Sequence, residues 1–554
     1  MLRRIFSSPL TRLIVGFVFV LAGIAIVMGG SVYGINYADS PYMLFNVRNP
    51  ERGPVAMLTF VLAHKWCDIF GLSIGSLCWL RSLCNIMTFG IGCIWFAFIT
   101  HRYLRASALF LVLCGLGEFC IAHYFNWDIA VYPWYVINAV LALEYLRRPS
   151  WIKLVLMGAL VGLITLARVP AILCAVIDVV VVIYVWYRAE GTPLRLTCEI
   201  AVGVFSAIAV ALGVIMLMCH SVGEYIESFV PENLINGHFD LDSLYFRLGL
   251  FIPVTAAWGG TLALIGGAYF AKVSRSRLWI KILVLFLTYN ICWNTARLVD
   301  MAALTVAVFG IGQMLFAAAT VCIWMRTDSD KIKFALLVIM AYAFSALLGS
   351  DTPAEKFLGL PMLPLVMAYL DYKDVNIRSI VNILMLELAI MGIYRQGYIF
   401  YNISKGDKSI YVKCDELPNV GTQYIPKEDM VWLEWAIDGV DAKKQLLLNN
   451  FKVGYMGGYS MMGEGYLGDT TPEWMNEFWI YPDDKVQRER FYKYFLEKDC
   501  ILYPSAREPF AAGYVLIDDF VEEYGYEVRN ITDKCLIAIP PGKVDAITDL
   551  LEFK

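Results

Sequence analysis

Asp39 stands in the run Tyr37-Ala38-Asp39-Ser40-Pro41-Tyr42, just after a first long apolar segment. A carboxylate there can take the proton of an attacking hydroxyl. The same residues also make a helix start, with Asp or Ser as N-cap and Pro at the first helical position, so a structural role stands beside the chemical one. Asp128, in Asn126-Trp127-Asp128, is a second isolated acid, and a solvated loop carboxylate is its plain alternative. Arg52, Arg81, Arg168, Arg297 and Lys356 are among the few cations in the alternate breaks that lack Lys/Arg clusters, with Asp351 close to the last of them. An Arg presents a planar fork suited to phosphate oxygens, and a Lys a point charge. Each, taken singly, can equally lay its stem along apolar surface and lift its charge to water.

The elements that must position these residues are membrane helices. The chain has 554 residues, 59% hydrophobic and 17% charged, with a mean hydropathy of +0.60. Apolar runs of about 18 to 22 residues alternate with short charged breaks, as a hydrocarbon core of roughly 30 Å requires. The first, Leu13 to Gly30, follows Arg3, Arg4 and Arg12. It is longer than a signal-peptide core and lacks a small-residue cleavage site, so it reads as a retained helix. Further segments at 82–99, 106–122, 129–146, 154–167, 170–187, 197–218, 249–270, 280–295, 301–325, 332–349, 358–370 and 379–396 bring the expected total to about thirteen. Lys/Arg clusters such as Arg147/Arg148/Lys153 and Lys272/Arg275/Arg277/Lys281 fall in alternate breaks, which places them and the N-terminus in the cytoplasm. The expected fold is therefore a polytopic α-helical membrane protein. A transmembrane domain spans 1–396, with a large first outer loop at 31–81, and 397–554 forms an extracytoplasmic α/β domain. Within that tail, Lys485 to Leu496 reads as a helix and Cys500 to Tyr503 and Leu536 to Ile539 as strands.

The first outer loop carries a specific order of features. Asp39 is followed by Arg52-Gly53-Pro54, an amphipathic stretch through Phe70 that is too polar to span, then Gly71-Leu72-Ser73 and Leu80-Arg81-Ser82-Leu83-Cys84-Asn85. This order resembles the C-type glycosyltransferase superfamily, multi-spanning enzymes that move a sugar from a polyprenyl-phosphate carrier to a lipid, glycan or protein acceptor on the outer face. The resemblance covers the first 150 residues best. It implies that Asp39 is the first-loop acid used as catalytic base or metal ligand, and that Asp128 takes the place of a second acidic motif. Asn126 stands where that motif often has a further acid, so Asp39 and Asp128 are the only ligands the resemblance offers a divalent cation, Mg or Mn. The leaving lipid phosphate calls for fixed cations, for which Arg168, Arg297 and Lys356 are the first choices and Arg52, Arg81 and Asp351 further lining residues. The implied partners are membrane lipids, the polyprenyl-phosphate sugar and its acceptor, in the cytoplasmic (inner) membrane of a bacterium. Two other classes stay open: a transporter or flippase whose membrane charges mark a substrate path, and a non-catalytic cell-envelope assembly protein.

Other classes are excluded. A net charge of −4 with no basic tract gives no footprint for nucleic acid. Gly463-Glu464-Gly465-Tyr466-Leu467-Gly468 matches a dinucleotide fingerprint in letters only, since Asp469-Thr470-Thr471-Pro472 follows where a helix is needed. Of 14 cysteines, only Cys414, Cys500 and Cys535 fall in the polar tail, without the spacing of a zinc site. At most one disulfide is expected among them.

Overall fold

The computed structural model describes residues 8–33, 39–48, 50, 56–120, 125–126, 129–219, 221–228, 320, 324, 327–345, 359–370, 411–414, 419–455, 485–505, 513–551 and 553. These are mostly helical. The first part contains α1 (Pro9–Gly29), α2 (Asp39–Arg48), α3 (Met57–Phe70), α4 (Ile74–Thr100), α5 (Tyr103–Cys120), α6 (Tyr132–Arg147), α7 (Trp151–Ala167), α8 (Leu173–Arg188), α9 (Pro193–Cys219), α10 (Val222–Ser228), α11 (Asp330–Ser345) and α12 (Gly359–Leu370). Among the described residues, Pro9–Val32, Ile74–Thr100 and Pro193–Met218 are long and apolar enough to cross a membrane, and Trp151–Ala167 is a shorter apolar helix. The expected segments at 249–270, 280–295 and 379–396, and nearly all of 301–325, lie outside the described residues, as does the boundary at 396/397.

The surface of this bundle is apolar. Leu13, Phe17, Ile94, Phe98, Phe205 and Leu217 are all more than 60% exposed, an arrangement suited to lipid tails and not to water. Lipid offers helices no hydrophobic drive to associate, so close backbone packing must supply the attraction. Gly158 and Gly162, one turn apart on α7, supply it: a Cβ on Gly158 would overlap the Gly203 carbonyl, and one on Gly162 would come within 2.5 Å of the Ala207 carbonyl. Ser206 Oγ adds a hydrogen bond to Val155 O at 2.7 Å.

One boundary differs from the expectation. The second long helix begins at Ile74, not at 82, so the first loop ends before Arg81, which lies two turns inside α4. Ser73, Gly75, Ser76 and Arg81 lower the apolar score of this stretch, but the fold covers it. The three N–H groups of its first turn that have no partner within the helix, those of Ile74, Gly75 and Ser76, are satisfied from outside it. Ser76 N donates to the Ser73 hydroxyl at 3.1 Å and Leu77 N to Ser73 O at 3.1 Å. Ile74 N and Gly75 N donate to Asn419 O (2.8 Å) and Val420 O (3.1 Å), which belong to the C-terminal tail. Gln423 Nε2 in turn donates to Ser31 O at 3.0 Å.

The tail holds β1 (Tyr411–Cys414), β2 (Gln423–Pro426), α13 (Lys427–Leu448), β3 (Val453–Tyr455), α14 (Lys485–Leu496), β4 (Cys500–Pro504), α15 (Gly513–Glu523), β5 (Glu527–Asn530), β6 (Cys535–Ile539) and α16 (Val544–Thr548). β1 and β2 form a two-stranded sheet, and the other four pair in the order β3-β4-β6-β5. β3 runs parallel to β4, with Val453 opposite Cys500, and the remaining pairs are antiparallel. Every residue of β4 is buried because both faces are covered. Cys500, Leu502, Ile537 and Ile539 pack with Ala442 and Leu446 of α13, while Ile501, Tyr503 and Ala538 pack with Phe495 of α14 and Phe520 of α15. Cys414, Cys500 and Cys535 are free thiols.

Candidate functional site

The end of the bundle at which α1 finishes and α4 begins is roofed by α2, α3 and the tail. Asp39 is the first residue of α2, and Met43, Leu44 and Val47 of that helix share a core with Phe60 and Ala63 of α3, with Ile74 of α4, and with Val420 and Ile425 of the tail. The Val47 carbonyl meets His64 Nδ1 at 2.8 Å. On the solvent side of α3, Lys65 donates to Asp68 at 2.9 Å and holds its carboxyl below the ordinary range.

Helix α3 bridges the elements that carry two of the expected cations. Trp66 Nε1 donates to Ser76 O in the first turn of α4 at 2.9 Å, and buried Thr59 donates to Ala167 O, the last residue of α7, at 2.9 Å. Arg168 follows directly and is 2% exposed; Arg81 is 0% exposed. One turn beyond Arg81, Asn85 is buried and its Nδ2 has no hydrogen-bond partner among the described residues. Two buried guanidinium groups and a free amide donor thus lie on elements that meet at the loop-covered end. Burial is itself informative here, since a snorkelling Arg would show its head group to water. Asn126 accepts from Ile129 N at 3.2 Å and closes a turn, a structural use of that side chain. Arg52, Asp128, Arg297, Asp351 and Lys356 lie outside the described residues. Among the described residues, no three His, Cys, Asp or Glu side chains cluster as metal ligands would. Asp39 and Asp128 therefore stay the only acids assigned to a divalent cation, by resemblance alone.

A second polar cluster escaped the sequence reading. Asp178, the only acid of α8, is 7% exposed and receives hydrogen bonds from Asn138 Nδ2 of α6 at 2.9 Å and from the Tyr342 hydroxyl of α11. Asn138 Nδ2 also donates to Tyr342 Oη at 2.9 Å. The Tyr135 hydroxyl donates to Ala171 O at 3.2 Å and lies 3.3 Å from Ser345 Oγ. Ala171 N donates to Arg168 O at 3.0 Å, so this line of polar groups reaches the turn that carries Arg168. The signal was present: one acid inside an otherwise apolar helix is costly and seldom idle.

The tail has a separate groove of about 660 Å³ between α14 and α15, lined by Lys485, Arg488, Tyr492, Glu523 and Tyr524. Arg488 donates to Tyr492 Oη at 2.9 Å and lies 3.6 Å from Asp519, which leaves the groove close to charge-balanced. No residue expected from the sequence lines it.

The fold and the apolar helices make this a membrane-associated, mostly helical protein. No protein-family model matches the chain, and no curated protein matches it.

Proposed function

We propose that the chain is an inverting glycosyltransferase of the C type, using a polyprenyl-phosphate sugar in the cytoplasmic membrane of a bacterium. The reading takes the full complement of about thirteen spans, with the N-terminus inside and the tail outside. The observation that carries it is the burial of Arg81 and Arg168 at the end of the bundle roofed by the loop that contains Asp39. Fixed cations in a water-poor site act strongly on charge that develops at a departing phosphate. In this mechanism Asp39 takes the acceptor's hydroxyl proton and the oxygen attacks the anomeric carbon. The carbon–oxygen bond to the phosphate breaks, and the lipid phosphate leaves toward Arg168, assisted by Arg297 or Lys356. Asp128 orients the acceptor or shares a cation.

The decisive assay gives purified protein a panel of polyprenyl-phosphate sugars and acceptors, and looks for a glycosylated product together with free lipid phosphate. Asp178 inside the bundle favours one other reading, a transporter whose buried charge lies on a path. Reconstituted protein that moves a lipid-linked sugar across the bilayer with its glycosyl bond intact, and transfers it to no acceptor, would establish that reading instead.

A further inference from the structure

We propose that Asp178, Asn138 and Tyr342 form a reversible proton-binding site inside the bundle, in which the Asn138 amide turns over when the proton binds. Asn138 gives one hydrogen to Asp178 Oδ2 and one to Tyr342 Oη, both at 2.9 Å, and Tyr342 gives its own to Asp178 Oδ1. Three hydrogens fill three contacts, and the triangle is complete only while the carboxylate is ionised. A proton added to Asp178 is a fourth hydrogen with no contact to occupy. One acceptor is waiting for it. Among the described residues, Asn138 Oδ1 is buried and has no hydrogen-bond partner, in a side chain that is 0% exposed. A buried amide oxygen without a donor is costly, and half a turn of the amide gives it one, the new O–H of Asp178, while the two amide hydrogens move to the place that Oδ1 held. The Asp178–Asn138 and Asp178–Tyr342 contacts then each keep one hydrogen. The Asn138–Tyr342 contact, which ties α6 to α11, has none and opens.

The groups facing this carboxyl come from each side of it. Tyr342 belongs to α11, Tyr135 to α6, and Cys174 lies one turn earlier on α8 itself. Arg168, on the turn after α7, acts on Tyr135. The hydroxyls of Tyr135 and Ser345 extend the polar line to the Ala171 carbonyl near the end of α7, the direction from which a proton would arrive.

Infrared difference spectroscopy of the purified full chain in lipid nanodiscs, cycled between acidic and alkaline buffer, tests the proposal independently of any transferase activity. A protonated-carboxyl C=O band should appear and vanish reversibly, and should be missing in Asp178→Asn. In Tyr342→Phe the carbonyl loses its phenol donor, so the band should persist at a higher frequency. That second variant decides the matter if Asp178→Asn fails to fold. A difference spectrum with no band sensitive to Asp178→Asn, or a band that Tyr342→Phe leaves at its wild-type frequency, overturns the proposal.

Discussion

On the proposed reading, Asp39 and Arg168 answer to different substitutions, because a structural and a chemical role separate along different axes. Asn caps a helix about as well as Asp but cannot accept a proton from a hydroxyl. Asp39→Asn is therefore expected to abolish sugar transfer while expression and thermal stability stay near wild type; near-normal turnover would leave Asp39 a structural role at the start of α2. For Arg168 the expected loss lies in rate. A cation that meets charge only as the phosphate departs acts in the transition state, so Arg168→Ala should lower kcat by about 10²-fold or more with little change in KM. A rise in KM alone would make Arg168 a binding group and take it out of the chemical step. At this scale the sequence was half legible. Arg81 and Arg168 stood out as charges at the ends of apolar runs, but their burial is set by tertiary packing, which no local pattern reveals. Asp178 was passed over because a single acid does not interrupt an apolar run as long as Leu173–Arg188.

Helices fared better than their contacts. The runs at 106–122, 154–167 and 197–218 became α5, α7 and α9 with ends moved by a few residues, since a membrane helix announces itself by length and hydropathy. The start of α4 was hidden because its polar first turn is completed by Asn419 and Val420, residues more than three hundred positions away. In the tail, Cys500–Pro504 and Cys535–Ile539 were legible as strands because sheet faces covered on both sides demand continuous apolar runs. The outer strand Glu527–Asn530, whose residues are largely exposed, carried no such mark. The pairing of α7 with α9 was likewise invisible, although Gly158 and Gly162 stand in the small-xxx-small spacing that allows it. Gly162→Leu should force the helices apart and cost about 1 to 3 kcal/mol, typical of overpacking. Gly213→Ala on α9 meets nothing within 4 Å among the described residues and should be neutral. Thermal unfolding in detergent of both variants checks this pair, and equal midpoints would mean that the α7–α9 contact contributes nothing.

For the whole molecule, the tail and the first loop behave as one layer. They share a hydrophobic core, and the tail's backbone carbonyls complete the first turn of α4, so both must lie on the same side of the membrane whichever side that is. Thr59 fixes the C-terminal end of α7 against this layer. Seventeen helical residues then carry Trp151, and with it Arg148, about 25 Å to the other end of the bundle. There Glu144 takes hydrogen bonds from Trp95 (3.0 Å) and Arg147 (2.6 Å), with Lys153 at 3.8 Å, so the basic breaks cluster opposite the roof. On the proposed topology, the excess of positive charge assigns that end to the cytoplasm. Single cysteines at Asp68, Lys485 and Arg148 test both statements with an impermeant thiol reagent. The native tail thiols should stay silent, because Cys414, Cys500 and Cys535 are buried and burial pushes Cys535 up to about 12, far from the reactive thiolate at neutral pH. Probes at Asp68 and Lys485 are expected to label on intact cells, and the probe at Arg148 only after permeabilisation. Opposite behaviour of Asp68 and Lys485 would refute the shared layer itself. Labelling of Arg148 alone on intact cells would keep the layer but reverse its orientation, and would leave the proposed site facing the cytoplasm, where a transferase acting on the outer face cannot work.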